Sequence, residues 1–163
     1  MSITFNADEI FEMAEEIERD GAKFYRRAAA NSTDSAIKEM LLGMAAMEEG
    51  HLKTFRHMRK ELSGQEKAEA VYDPDNQAVL YLQTMAGAHG YEGKISPTKQ
   101  LSGNETTKEI LEIALSSEKE SVVFYFGLKS FVPAKAGKDK VEAIILEELG
   151  HITTLLKKLE SLK

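Results

Sequence analysis

Residues 44–58 read MAAMEEGHLKTFRHM, and this stretch decides the fold. Its apolar residues recur every three or four positions, as on the buried face of an α-helix, but Glu48 and His51 interrupt that face at its centre. The interruption returns one hundred residues later, where Glu148 and His151 lie within a second apolar face. Polar groups at such positions need a partner inside the protein, because burying them alone is costly.

The same helical spacing extends over most of the chain. Stretches rich in Ala, Leu, Met, Glu and Lys predict four long helices, at about 6–30, 35–62, 104–130 and 138–162. Short turns join the first helix to the second and the third to the fourth, so each pair is predicted to be an antiparallel hairpin. The segment 63–103 holds prolines and glycines and is predicted to be a long crossover, with a short helix at 77–86. The expected fold is an all-α four-helix bundle of two antiparallel hairpins joined by a long crossover.

Each predicted helix directs a carboxylate inward. Glu48 and Glu148 lie on the apolar faces of the second and fourth helices, and Glu18 and Glu118 lie on those of the first and third. Four buried carboxylates would cost several kcal/mol each and would repel one another. Two divalent cations would neutralise them together with two uncharged imidazoles, and iron or manganese accepts such a mixed oxygen and nitrogen set. The candidate metal ligands are Glu18, Glu48, His51, Glu118, Glu148 and His151.

An internal repeat supports this interpretation. Glu18-Arg-Asp-Gly-Ala-Lys-Phe-Tyr25 aligns with Glu118-Lys-Glu-Ser-Val-Val-Phe-Tyr125, and both Glu-x-x-His motifs keep the same offset of 100 residues. One Glu-x-x-His is weak evidence, but two copies at a fixed distance from a Glu-x6-Tyr are strong. The repeat predicts two related hairpins about an approximate two-fold axis, with the metal pair on that axis. Tyr25 and Tyr125 are either core aromatics or functional residues that hold a ligand across the bundle.

The motifs Glu18-x-x-Gly-x-x-Phe-Tyr25 and Glu48-Glu-x-His51 resemble the di-iron domain of the rubrerythrin family, within the ferritin-like superfamily. The resemblance covers nearly the whole chain, so residues 1–163 are expected to form a single domain. It implies the following roles: terminal ligands Glu18 and Glu118, bridging ligands Glu48 and Glu148, and His51 and His151 one on each metal.

Two departures from the rubrerythrin pattern affect what the resemblance implies. The chain has no cysteine and therefore no cysteine-ligated rubredoxin domain, so electrons would come from an external donor such as a separate rubredoxin-like protein. Ser121 stands where many rubrerythrins have a further Glu, so a redox-linked movement of iron is not implied. The resemblance also implies a homodimer, with the crossover near Tyr81 and Met85 as a candidate contact.

The first functional hypothesis is an oxidoreductase that uses two ferrous ions to reduce hydrogen peroxide, or less efficiently dioxygen. Manganese or a mixed pair fits the same ligands, and zinc can occupy them adventitiously. The second hypothesis is a ferroxidase that handles iron. The third is an interaction module whose metal is structural or absent.

Composition argues against other classes. Acidic residues outnumber basic ones by 27 to 21 without a basic stripe, so nucleic-acid binding is not expected. No apolar run could span a membrane, and the start lacks the features of a secretory signal, so a cytoplasmic protein is expected. Six further polar residues are interpreted as solvated or incidental (Glu15, Glu16, Glu49, His57, His89 and Glu147), and four methionines are interpreted as core filler (Met40, Met44, Met47 and Met58).

Overall fold

The structure is a computed structural model that describes residues 6–68, 101–132, 135 and 137–162. Within these ranges the chain forms four long helices and one short helix: α1 (Ala7–Asn31), α2 (Ser35–Glu61), α3 (Gly64–Ala68), α4 (Thr107–Phe131) and α5 (Lys138–Ser161). The predicted all-α four-helix bundle is confirmed. The predicted helix at 77–86, the candidate dimer contact near Tyr81 and Met85, and His89 lie outside the described residues.

Capping side chains set where the helices begin. Asn6 and Glu9 form a reciprocal capping box at the start of α1, with both hydrogen bonds 2.9 Å long. Helix α4 begins three residues later than predicted, because Thr106 and Glu109 form its capping box. The side chain of Glu105 instead turns back and accepts hydrogen bonds from the residues before it.

The hairpins α1–α2 and α4–α5 pack side by side, with α1 against α4 and α2 against α5. Two apolar clusters fill the bundle interior. One contains Phe11 and Phe55, and the other contains Phe24 and Leu41. The predicted buried faces hold almost throughout. The interpretation of Met47 as core filler is wrong, because this side chain is 40 % exposed on the outer turn of α2.

The seam between α1 and α2 is held by ion pairs. Glu15 is buried, and its carboxylate lies 3.6 Å from Arg56 and 3.5 Å from Arg59. The interpretation of Glu15 as a solvated residue is therefore wrong. Arg59 also binds Asp8 through two hydrogen bonds of 3.0 and 2.8 Å. None of the helices in the described ranges has an apolar stretch long enough to cross a lipid bilayer.

Candidate metal centre

The six predicted ligand residues come from the four long helices and lie together in the bundle interior. Every one of them is at most 5 % exposed. Because each lies on the inward face of its helix, their side chains meet in the middle of the bundle rather than at its surface. The contributions are Glu18 from α1, Glu48 and His51 from α2, Glu118 from α4, and Glu148 and His151 from α5.

Their donor atoms form two overlapping groups, in each of which all the atoms lie within 4.8 Å of one another. One group comprises Glu18, Glu48, His51 and Glu148, and the other comprises Glu48, Glu118, Glu148 and His151. Glu48 and Glu148 belong to both groups, which is the arrangement that bridging carboxylates require. The geometry thus brings all six residues together, and their role as ligands stays a prediction.

Carboxylate oxygens and imidazole nitrogens that face the centre of the cluster lie close to one another but form no hydrogen bonds within the described part of the chain. His51 Nδ1 is 2.9 Å from Glu148 Oε1, and His151 Nδ1 is 2.9 Å from Glu148 Oε2. Among the residues that the structure describes, none of these four buried atoms has a hydrogen-bond partner, and neither has Glu18 Oε2 or Glu48 Oε1. Buried polar atoms are rarely left unsatisfied in this way. The donor set, four carboxylates and two imidazoles with orphaned atoms directed at two points, fits a pair of divalent metal ions.

Without a positive ion, it is costly to keep all four buried carboxylates of the cluster ionised. Burial, followed by repulsion from neighbouring carboxylates, raises the pKa of Glu18 well above its ordinary value. The same causes raise the pKa of Glu48 to about 7 and that of Glu118 to about 8. Burial also acts to raise the pKa of Glu148, but contact with both imidazoles lowers it overall. The cluster therefore disfavours four simultaneous negative charges.

The imidazoles supply the compensating charge in the metal-free protein. Burial would lower their pKa, but the surrounding carboxylates outweigh it and raise the pKa of His51 to about 11 and that of His151 to about 12. A metal ion binds neutral imidazole, so each bound ion would displace a proton from this cluster.

The two tyrosines hold carboxylates across the bundle. Tyr25 donates a hydrogen bond to Glu118 Oε1, and Tyr125 donates one to Glu18 Oε1. Burial raises the pKa of both phenols, so they stay neutral donors. Each hairpin thereby orients a predicted ligand of the other hairpin. The cross-bundle contact is present, whereas any functional role of the tyrosines stays a prediction.

The outer nitrogens of the two imidazoles have different neighbours. His51 Nε2 lies 3.0 Å from Glu147 Oε2, whereas His151 Nε2 lies 3.4 Å from Met47 Sδ. Glu147 is solvated, as interpreted, since its side chain is 52 % exposed, but its contact with His51 means that it is not incidental. Positions 47 and 147 are equivalent in the repeat, and their different side chains were a signal in the sequence that the two halves are not identical.

In the part of the chain that the structure describes, the cluster has an opening on each of two sides. A small cavity of about 10 Å³, room for a single water molecule, lies between α1 and α4 and is lined by Gly21, Tyr25, Glu48 and Glu118 among others. On the opposite side, an open cleft of about 600 Å³ between α2 and α5 reaches His51. The cavity beside Glu48 and Glu118 admits only a molecule of about the size of water.

Comparisons with known proteins concern the fold. No family model and no curated protein matches the chain. Among solved structures, a Thermotoga maritima protein described as a ferritin-like diiron-carboxylate protein is 24% identical in sequence. The match has a TM-score of 0.74 and covers 98% of each chain. The fold is ferritin-like. This ferritin-like bundle places the six buried side chains where its four long helices face one another.

Replacing Gly21 by Ala is expected to weaken metal binding. A Cβ atom at Gly21 would lie 2.9 Å from Glu48 Oε2, so the shared carboxylate would have to move. We expect a loss of affinity of roughly 10–100-fold, the range seen when the support of a ligand is disturbed, measured by competition with a chelator. Gly50→Ala is the control, because a Cβ there meets nothing within 4 Å. Equal affinities for the two variants would contradict the prediction.

Replacing Tyr125 by Phe is expected to weaken one metal position selectively. The variant keeps the ring but removes the hydrogen bond to Glu18, which belongs to only one of the two groups. Affinity for one of the two ions should fall roughly 10–100-fold while the other is retained. Tyr25→Phe is the matched variant and should affect the position that contains Glu118. Unchanged binding in both variants would show that the tyrosines are only core aromatics.

Proposed function

We propose that this chain is a di-iron oxidoreductase that reduces hydrogen peroxide, or less efficiently dioxygen, with electrons from an external donor protein. The observation that carries the proposal is the buried cluster whose orphaned donor atoms converge in two groups sharing Glu48 and Glu148. The solved structure with the same fold is itself described as a diiron-carboxylate protein. Iron is the preferred metal because this ligand set suits it and the reaction needs electrons.

Within this proposal the six residues would hold two iron ions in the roles that the sequence suggests. Each ferrous ion can supply one electron, and peroxide reduction needs two. Glu48 and Glu148 would bridge the ions, Glu18 and Glu118 would bind one ion each, and so would His51 and His151. Tyr25 and Tyr125 would keep Glu118 and Glu18 in place and remain protonated while doing so.

The two openings favour a function with a small neutral substrate over the uptake and oxidation of iron ions. The cavity between α1 and α4 has room for one water-sized molecule, which suits peroxide or dioxygen. Among the described residues, the cleft over His51 is lined by Lys53 and Lys140 as well as by Glu147, so this opening is not a purely acidic path for ferrous ions. Iron handling is therefore the second candidate, supported by the ligand set alone.

The test compares peroxide consumption by anaerobic, iron-loaded protein with that by the same concentration of free ferrous iron. The proposal expects faster consumption by the protein and two irons per chain by metal analysis. A rate no higher than that of free iron rejects it. Oxidation of many more than two ferrous ions per chain, with retention of the product, would favour iron handling. Absence of metal after anaerobic iron loading would favour the interaction module.

A further inference from the structure

Two consecutive residues of α5 hold the imidazole of His51 from opposite sides. Its Nδ1 faces the cluster and lies 2.9 Å from Glu148 Oε1. Its Nε2 faces outward and lies 3.0 Å from Glu147 Oε2, which is hydrogen-bond distance. The side chain of His51 is almost completely buried, whereas that of Glu147 is 52 % exposed. Glu147 therefore reaches the ring from the solvent side, at the cleft between α2 and α5.

The imidazole of His151 is held in the equivalent way, but it has a different partner at its outer nitrogen. Its Nδ1 lies 3.3 Å from Glu48 Oε1 of α2, and its Nε2 lies 3.4 Å from the sulfur of Met47, the residue before Glu48. Positions 47 and 147 are equivalent in the repeat, as are positions 48 and 148. The same position of the repeat thus places a carboxylate against one ring and a thioether against the other.

The outer partner matters because it acts through the ring on the nitrogen that faces the cluster. When Nδ1 of a neutral imidazole binds a metal ion, the remaining ring proton is on Nε2. A carboxylate that accepts a hydrogen bond from Nε2 fixes the orientation of the ring and makes Nδ1 a stronger electron donor. A thioether is a weak acceptor without charge, so it supports the ring less. The carboxylate of Glu147 also adds a negative charge beside one of the two predicted metal positions.

We infer that Glu147 is a positioning residue that makes the His51 position bind its ion more tightly than the His151 position. The inference rests on the proposed function, because it requires the metal pair. Glu147 touches the outer nitrogen of the ring rather than the cluster, so it acts through His51. Loss of such an outer partner typically costs 10–100-fold in metal affinity, and we expect a difference of roughly that size between the two positions. A chain that holds one ion would hold it in the group that contains Glu18 and His51.

The first experiment determines which position fills first. Unequal binding steps alone would not decide this, because two ions that share Glu48 and Glu148 repel each other even at identical positions. Zinc is the probe, since it has no unpaired electrons and leaves the ring signals of histidine sharp in NMR spectra. At one zinc ion per chain, the ¹⁵N signal of His51 Nδ1 should be that of a metal-bound nitrogen, whereas the signal of His151 Nδ1 should not.

Exchanging the two outer residues is the variant that separates a positioning role from a merely structural one. Met47→Glu/Glu147→Met keeps the composition and the net charge of the chain and moves the carboxylate from one ring to the other. Met47 is 40 % exposed and Glu147 is 52 % exposed, so the exchange buries no new charge. In this variant His151 should bind the first zinc ion, and a merely structural role for Glu147 would not reverse the order.

Anaerobic calorimetric titration with ferrous iron then measures the affinities. Glu147→Met should weaken the tighter step roughly 10–100-fold, and Met47→Glu should strengthen the weaker step by a similar factor. Glu160→Met is the control for the loss of charge, because Glu160 is exposed on the same helix roughly 20 Å further along. This control should leave both steps unchanged.

Circular dichroism checks that each variant is folded, and the two single variants keep the test decisive if the exchange variant does not fold. Three results would overturn the inference and leave the proposed function standing: a wild type in which His151 fills first or together with His51, a folded exchange variant that still fills His51 first, or unchanged affinities in both single variants. A wild type that binds fewer than two ferrous ions per chain would overturn both.

Discussion

Replacing Glu148 by Gln is expected to abolish binding of both metal ions. Glu148 belongs to both groups of donor atoms, and its two oxygens each lie 2.9 Å from a different imidazole. Gln keeps the size of the side chain but removes the charge that bridging two cations requires. Metal analysis after anaerobic loading and desalting should fall from two ions per chain to fewer than one.

Glu118→Gln provides the matched comparison, because Glu118 belongs to only one of the two groups. This variant should retain about one ion per chain. Glu112→Gln, on the exposed side of the same helix, should retain both ions. Equal metal content in the Glu148 and Glu118 variants would mean that Glu148 does not bridge, and the assignment of shared ligands would have to be given up.

Replacing Phe55 by Ala is expected to destabilise the metal-free protein by about 3–5 kcal/mol. Phe55 is completely buried, and its ring centroid lies 6.3 Å from that of Phe11 and 5.2 Å from that of Tyr125. Its loss would leave a cavity next to the ring whose hydroxyl group holds Glu18. Denaturant unfolding, followed by circular dichroism, measures the free energy of unfolding.

Phe55→Leu is the control that the repeat itself provides, since the equivalent position holds Leu155, also completely buried. A Leu side chain fills most of the volume, so this variant should lose less than about 1.5 kcal/mol. If Phe55→Ala loses no more stability than Phe55→Leu, the side-chain volume at position 55 does not contribute to the free energy of unfolding, and the core next to the cluster repacks freely.

The sequence predicted the bundle and the residues of the cluster because both depend on local spacing. Apolar residues three and four apart fix which face of a helix is buried, and Glu48 and His51 break that rule conspicuously. The offset of 100 residues then related the two halves without any structural information. Helix ends were predicted to within three residues, the largest difference being at α4, whose capping residue is Thr106.

Interactions between helices could not be predicted in the same way. Glu15, Glu147 and Met47 all lie beside the apolar face of a helix, where spacing alone does not separate a solvated side chain from one that meets a neighbour. Glu15 is buried because Arg56 and Arg59 come from the next helix, and Glu147 meets His51 from across the bundle. Such pairings depend on how the hairpins pack, which the periodicity of one helix does not contain.

The crossed hydrogen bonds from Tyr25 to Glu118 and from Tyr125 to Glu18 have a consequence for folding. Each hairpin supplies two carboxylates and one imidazole to the cluster, but the phenol that holds its Glu18 or Glu118 carboxylate comes from the other hairpin. A hairpin that forms early therefore has an incomplete site, and the cluster takes its final geometry only when the two halves dock. Capture of ions in this geometry would act as a late step that favours the assembled bundle over separate hairpins.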